Sequence, residues 1–354
     1  MRKSTAKPLR GRGTTAQPPN RFEPLHYEFD PDALEEEQPA PCTQFYRDNS
    51  QTIITYNNSP DVGFEASINP YRGCEHGCIY CYARPYHEYL GMSAGIDFET
   101  KIMVKENAPA LLRRELSSPR WKPQVLAMSG VTDPYQPIER KLQLTRRCLE
   151  VLVGFHNPAA IVTKNYLVTR DADLLAELAK YDAAAVYVSI TTLDMYLARI
   201  MEPRTAQPGA RLRAIEALTK AGVPTGVLVA PVIPGLTDHE LVSIIQAAAD
   251  AGARFAGFVP IRLPGAVAPL FEQWLSEHMP DRKEKVLASI RSIRGGRLND
   301  PNFGSRMRGQ GILAEQMRKL FHAARRKAGI DNDGPSLSLS SFRRPQRAQL
   351  SLFE

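Results

Sequence analysis

Short β-rich apolar runs alternate with longer helical runs along most of this chain. The short runs fall at residues 51–56, 67–71, 124–129, 159–164, 184–191, 225–232 and 254–260. Helical patterns fall among them at 142–153, 172–180, 193–200, 210–221 and 239–251. Strand-sized runs separated by helix-sized ones predict βα units, hence a parallel sheet with helices outside it. Right-handed crossovers curl such a sheet into a barrel or partial barrel, so the expected class is α/β. Beyond residue 265 two more helices are expected, at 270–277 and 281–293, the second announced by Pro280. Leu313, Met317, Leu320, Phe321 and Ala324 then form a helical stripe that packs on the barrel, with Arg318, Lys319, Arg325 and Arg326 on its other face.

Composition and charge sharpen this outline. The 354 residues are 43% hydrophobic, enough for a sizeable core. No run of apolar residues is long enough to span a membrane, and the basic N-terminus lacks the apolar stretch of a secretory signal. Residues 1–22 hold Arg2, Lys3, Lys7, Arg10, Arg12 and Arg21 without an acid, and 28–37 are acidic. Neither stretch has a core-forming pattern, so a disordered arm is expected over 1–42. The barrel core is expected over 43–265, a basic helical extension over 266–330, and a flexible tail over 331–354. Residues 282–329 carry 13 Lys or Arg against Glu284, Asp300 and Glu315, out of a net charge of +7 for the whole chain. Such a concentration suits a polyanionic partner, or else a solvated helical face.

The five cysteines are few and clustered, which fits a reducing, cytoplasmic setting and a metal site rather than a disulfide frame. Cys148 lies in an apolar helical pattern and reads as core, and Cys42 stands alone. Cys74, Cys78 and Cys81 sit in one stretch, spaced C-x3-C-x2-C. A structural zinc site takes four ligands, commonly as two pairs, and no second pair is present. Three thiolates can instead hold three corners of a [4Fe–4S] cluster and leave one iron open. His76 and His87 are the candidates for a fourth ligand, with supporting or packing roles expected for both.

With Tyr80 just before the last cysteine, this stretch resembles the signature of the radical S-adenosylmethionine (SAM) superfamily. The resemblance implies a (β/α)6 partial barrel, a [4Fe–4S] cluster on Cys74, Cys78 and Cys81, and SAM bound to the open iron. It further implies one-electron cleavage of SAM to methionine and a 5′-deoxyadenosyl radical that abstracts hydrogen from a substrate. A reductase or flavodoxin-type protein would supply the electron. In parallel barrels the chemistry sits at the C-terminal ends of the strands. There the resemblance assigns cofactor contacts to Tyr80, to Ser129, Gly130, Thr132 and Asp133 for the methionyl amine, and to Thr163 and Lys164, with Lys164 pairing the methionyl carboxylate. It places Ser189 by the ribose or carboxylate and Arg211 reaching in from the next helix, while 230–235 backs the adenine.

Within the superfamily the chain is similar to the spore photoproduct lyase family, which reverses a thymine–thymine lesion in DNA. The likeness spans roughly 64–265 and rests on the cysteine loop, Ser129-x-x-Thr132-Asp133, Thr163-Lys164, Glu202-Pro203 and Val229-Ala230-Pro231. Val131 stands where that family has a hydrogen-donor cysteine, so another donor such as Tyr135 would be required. The function these features imply is a radical SAM enzyme, of lyase or transferase type, acting on DNA in base-lesion repair. The alternatives are radical modification of RNA or a peptide, and a non-enzymatic nucleic-acid-binding protein with a structural metal.

The chain ends in an apolar motif on a polar tail. Residues 349–353, Gln-Leu-Ser-Leu-Phe, resemble the peptide by which bacterial polymerases and repair proteins dock on the DNA sliding clamp. A tethered peptide of that kind raises the local concentration of an enzyme at DNA. A synthetic peptide of the tail is expected to bind sliding clamp, and Leu352→Ala with Phe353→Ala to abolish that binding, as read by fluorescence polarisation.

Overall fold

The computed structural model of the chain describes residues 9–22, 41–330 and 333–345. Among the described residues ten strands form two sheets. They are β1 (Gln44–Arg47), β2 (Ile54–Tyr56), β3 (Ala66–Ile68), β4 (Tyr71–Arg72), β5 (Lys101–Val104), β6 (Leu126–Met128), β7 (Ala159–Thr163), β8 (Ala184–Ser189), β9 (Thr225–Val232) and β10 (Ala256–Pro260). The main sheet has the order β10-β9-β8-β7-β6-β3-β2. Its strands from β3 to β10 are parallel, and β2 closes one edge in antiparallel register with β3. The expected α/β architecture with successive parallel strands is therefore present. Ala66, Ala127, Ala159 and Ala184 lie buried in β3, β6, β7 and β8, where small side chains let strands and covering helices approach closely.

Helices Leu144–Phe155, Ala172–Ala179, Pro208–Lys220 and Leu241–Asp250 cover the sheet, and each turns an apolar stripe inward. The first ends at His156, which takes a left-handed φ of 50°. The small sheet, in the order β1-β5-β4, was not legible in the sequence. Its strands have two to four residues, too few for a periodic pattern to emerge. It matters because β4 and β5 flank the cysteine loop.

Helices Val267–His278 and Lys283–Ser292 are not an appendage. Phe271, Trp274, Leu287 and Ile290 share one apolar cluster with Cys78, Ile79 and Tyr80, so the extension buttresses the cysteine loop. Helix Gly311–Ala328 buries Ala314, Met317, Phe321 and Ala324, with Phe321 4.6 Å from Phe258 of β10. Two residues depart from expectation. Leu320 is exposed, and Arg325 is buried rather than solvated, its Nη1 2.8 Å from Asp333. Arg294 and Arg306 also serve the fold. Buried Arg294 donates to the carbonyls of Pro260, Ile261 and Arg306, and Arg306 pairs with Asp61 at 2.5 Å. The basic surface is therefore thinner than its count of arginines suggests.

Two segments expected to be disordered are partly seated. Arg12 Nη1 donates to the Glu99 carbonyl at 3.1 Å, Gly13 N–H to Glu99 Oε2 at 2.9 Å, and Asn20 Nδ2 to the Glu88 carbonyl at 2.9 Å. Residues 9–22 thus form a strap over the cysteine loop. A Cβ on Gly13 would lie 1.8 Å from the Gly77 carbonyl oxygen, so only glycine fits there. Residues 333–345 run back along the barrel, where Ser338 N–H donates to the Asp182 carbonyl and Arg343 N–H to the Phe155 carbonyl. Hydrogen bonds to distant backbone hold both segments, and hydropathy cannot report those. The remainder of 1–42 and the motif at 349–353 lie outside the described residues. Among the described residues no helix is long and apolar enough to cross a membrane.

Candidate active site

The cysteine loop leaves β4 through Gly73 and turns again at Gly77, with left-handed φ values of 78° and 65°. Arg84, fully buried, holds its outer turn. Its Nε donates to the Cys78 carbonyl at 3.0 Å and its Nη2 to the Gly77 carbonyl at 3.2 Å, while Nη2 also pairs with Glu99 at 2.5 Å. Gln136 holds the inner turn, accepting from Glu75 N–H at 3.0 Å and donating to the Gly73 carbonyl at 3.3 Å. Glu75 in turn accepts from Ile138 N–H and pairs with Arg204.

Cys74 and Cys78 are buried and Cys81 is partly exposed. Burial, then the neighbouring Cys74, pushes the Cys81 thiol up to about 11. Burial, then Glu202, raises Cys78 well above the usual thiol range. Without a bound cation these thiols keep their protons, and a metal centre would have to displace them. Neither histidine completes a ligand set. Burial opposes charge on His76, yet Asp133, 3.3 Å from its Nδ1, and then Cys74 raise it to about 10. Its other nitrogen lies 3.3 Å from Asn165 Nδ2. His87 stands edge-on to Phe98. Among the described residues no three His, Cys, Asp or Glu side chains are gathered to hold a single metal ion. Three thiols on one loop are a donor set suited to three corners of a [4Fe–4S] cluster, and the buried His87 Nε2 has no hydrogen-bond partner.

Facing the loop is a network at the ends of β7, β8 and β9. Lys164 Nζ donates to Ser189 Oγ at 2.7 Å and to the Ala230 carbonyl at 2.8 Å, and lies 3.3 Å from Glu202 Oε1. Thr191 Oγ1 donates to Glu202 at 2.8 Å, and the Tyr80 hydroxyl donates to the same carboxylate oxygen. The second oxygen of Glu202 pairs with Arg211. Burial, then Arg211, lowers Lys164 to about 7. Burial raises Glu202, with Arg211 opposing it. One buried carboxylate between two cations leaves room for a second anion beside Lys164.

The structure brings most of the sequence-named residues together and assigns some of them different work. Lys164, Ser189 and Tyr80 meet in one network, with Lys164 Nζ 2.7 Å from Ser189 Oγ and 5.7 Å from the Tyr80 ring centroid. Ser129, at the end of β6, has a φ of 123°, a conformation that L residues rarely adopt. Backbone strain of this kind collects at ligand-contacting positions. Gly130 next to it packs so closely that a Cβ would meet Ser67 Oγ at 3.0 Å. Asp133 is not open to an amine. Its oxygens accept from Thr163 Oγ1, Tyr135 N–H and Lys164 N–H and pair with His76, so it and Thr163 tie two strand ends to the loop. Thr132 donates to the Tyr71 carbonyl, and Arg211 directs its donors to Glu202, Thr205 and the carbonyls of Ser189 and Ala206. Both are positioning residues. Tyr135 is fully buried in the core. Sequence reading gave no role to Glu202, Thr191, Arg84 or Glu99. The acid of Glu202-Pro203 was visible, but only folding reveals that it meets Lys164.

Residues 68–248, about half the chain, match the family model of the Radical SAM superfamily, and the chain belongs to that superfamily. That superfamily uses a [4Fe–4S] cluster and SAM. A relative in Mycobacterium tuberculosis (strain ATCC 25618 / H37Rv), described as uncharacterized, is 39% identical over 226 residues, which is 63% of this chain and 66% of the relative, just under two thirds of its length. An uncharacterized protein of Methanocaldococcus jannaschii is 31% identical over 51% of this chain and 65% of its own length. Among solved structures the fold is similar to spore photoproduct lyase complexed with dinucleoside spore photoproduct. The TM-score is 0.59 at 16% identity, over 81% of this chain and 80% of that one. A double mutant of that lyase with bound AdoMet and the same dinucleoside gives 0.58 at 16% identity, over 81% and 79%.

Two predictions follow from these geometries. Ser129→Gly is expected to be more stable than Ser129→Ala by about 1 kcal/mol in chemical denaturation, since only glycine relieves the φ strain, while both weaken SAM binding in calorimetry. For Lys164 the folded pKa of about 7 lies below the ordinary amine value of about 10.4, so between them the unfolded chain holds a proton that the fold does not. Stability of the ligand-free protein should therefore rise as pH goes from about 7 to about 10. Lys164→Met should flatten that rise in denaturation curves taken across the window.

Proposed function

We propose that this chain holds a [4Fe–4S] cluster on Cys74, Cys78 and Cys81, binds SAM across the strand ends, and performs radical chemistry on a base of DNA. The observation that supports this most is the pairing of a three-thiol loop with a desolvated lysine across the same space. When bound, the cluster and SAM supply a one-electron cleavage whose product radical takes a hydrogen atom from the substrate. The protein does the positioning. Lys164 is the cation for the methionyl carboxylate, already oriented by Ser189 and the Ala230 carbonyl. Ser129 presents a hydroxyl, and Gly130 a backbone free of a Cβ, to the amino end. Glu202 fixes Tyr80 against the loop, and Arg84 with Glu99 keeps the three sulfurs in register. Phe271, Trp274 and the strap over residues 9–22 exclude water from the loop's outer side.

DNA is favoured as the substrate by charge and by fold. A cavity of about 370 Å³ on the C-terminal extension is lined by Phe258, Met307, Arg308, Arg318 and His322, a cationic recess suited to phosphate. The solved neighbours of this fold include a lyase complexed with a dinucleoside lesion. The clamp-like motif at 349–353 points the same way. Val131 supplies no thiol at the position aligned with the lyase donor, so the reading is base-lesion chemistry with a different return of hydrogen.

After anaerobic reconstitution and chemical reduction, the protein is expected to convert SAM to 5′-deoxyadenosine, and Cys78→Ala to lose this conversion. With deuterated, irradiated DNA, deuterium should appear in the 5′-deoxyadenosine. A reconstituted protein that leaves SAM intact would end the enzymatic reading, and deuterium arriving only from labelled RNA would end the DNA reading.

A further inference from the structure

Beside the cysteine loop the surface carries a line of exposed aromatic rings that neither the fold nor the cofactor site employs. Tyr82 follows Cys81 directly and is 42% exposed. Tyr86, Tyr89 and Phe22 are 54%, 65% and 54% exposed. Tyr86 and Tyr89 sit on the 3₁₀ turns at Arg84–Leu90, where residues three apart eclipse one another along one edge. Their ring centroids are 6.4 Å apart, and Phe22, delivered by the N-terminal strap, tilts against Tyr89 with ring centroids 4.9 Å apart. Cations interleave the rings. Arg21 lies 4.7 Å from the Phe22 ring and 5.5 Å from the Tyr89 ring and is anchored by Glu88 at 2.8 Å. Arg262 lies 5.7 Å from the Tyr82 ring and donates to Met307 Sδ at 3.3 Å, at the rim of the basic cavity.

Aromatic rings gathered in one exposed line are unusual on a monomer surface and mark an interaction site. Alternation with arginine selects the partner, because base faces stack on such rings while guanidinium groups attract phosphates. The line is continuous with the active-site mouth, where the Tyr82 hydroxyl donates to the Gly130 carbonyl at 2.9 Å. In an intact duplex the base faces are hidden by stacking, so the occupant must be an unpaired strand. We propose that Tyr86, Tyr89 and Phe22, with Arg21 and Arg262, form a stacking platform for consecutive unpaired nucleotides next to the reacting base. This rests on the nucleic-acid reading of the site and adds that the enzyme engages locally unpaired strand.

The test is fluorescence anisotropy with full-length protein and a labelled oligodeoxynucleotide, presented single-stranded, as a duplex, and as the same strand with abasic spacers. Wild type should bind the single strand more tightly than either the duplex or the abasic strand. Tyr86→Ala with Tyr89→Ala should weaken binding of the base-bearing strand by at least about ten-fold and equalise it with the abasic one. Tyr86→Phe with Tyr89→Phe should keep wild-type affinity, because the ring face and not the hydroxyl makes the contact. A thermal melt checks that the variants fold. If the alanine pair binds the base-bearing strand as well as wild type does, the platform is wrong and the nucleic-acid reading stands. If wild type binds no oligonucleotide, both are wrong. If the alanine pair leaves oligonucleotide affinity intact but dissolves a dimer in sedimentation, the rings contact a second copy and the proposal is overturned.

Discussion

Everything at the active site depends on how one buried guanidinium holds a loop of three thiols. Arg84 donates to the carbonyls of Gly77 and Cys78 within the loop and of Ala94 and Gly95 beside it, and pairs with Glu99. Burying two ions costs several kcal/mol each, so the pair is a poor source of stability by itself. Its value is geometric. Loop carbonyls cannot pair in a helix or sheet, and a planar guanidinium can satisfy several of them at once and fix their directions. Glu99, drawn inward by Arg84, then accepts from Gly13 N–H, so the same ion pair seats the N-terminal strap. Thiols, loop and strap are thereby one mechanical unit.

Across the cavity the ends of β7, β8 and β9 form a second unit, organised by charge. Glu202 collects Tyr80, Thr191, Lys164 and Arg211, and Asp133 collects Thr163, the Lys164 backbone and His76. Through Tyr80 and His76 these carboxylates reach back to the cysteine loop. The two units are thus registered against each other by buried polar bonds, which tolerate misplacement less than apolar packing does. Lys164 belongs to this network as well, donating to Ser189, Thr191 and the Ala230 carbonyl beside Glu202.

Outside this frame, the positive charge of the C-terminal third divides into two roles. Arg294, Arg306 and Arg325 bind backbone or acids and hold the extension to the barrel, whereas Arg308, Arg318 and His322 line an open recess. Arg262 joins that recess to the aromatic line beside Cys81.

The parallel sheet, the cysteine loop and the lysine at the end of β7 were legible because local pattern determines them: hydrophobic period, ligand spacing, and position relative to a strand terminus. The (β/α) order follows from the alternation of runs, and the grouping of three thiols on one loop from one short stretch. The small sheet, the seated strap, and the structural arginines were not legible, since each depends on partners far away in sequence, such as Glu99 with Gly13 or Arg306 with Asp61. The same holds for the division of labour among polar residues at the strand ends. Sequence assigned Asp133, Lys164 and Arg211 alike to cofactor contacts; folding gave each of them protein partners, Asp133 with His76 and Thr163, Arg211 with Glu202, and Lys164 with Ser189 and Glu202, because which buried charge finds a mate is settled only when distant strand ends come together.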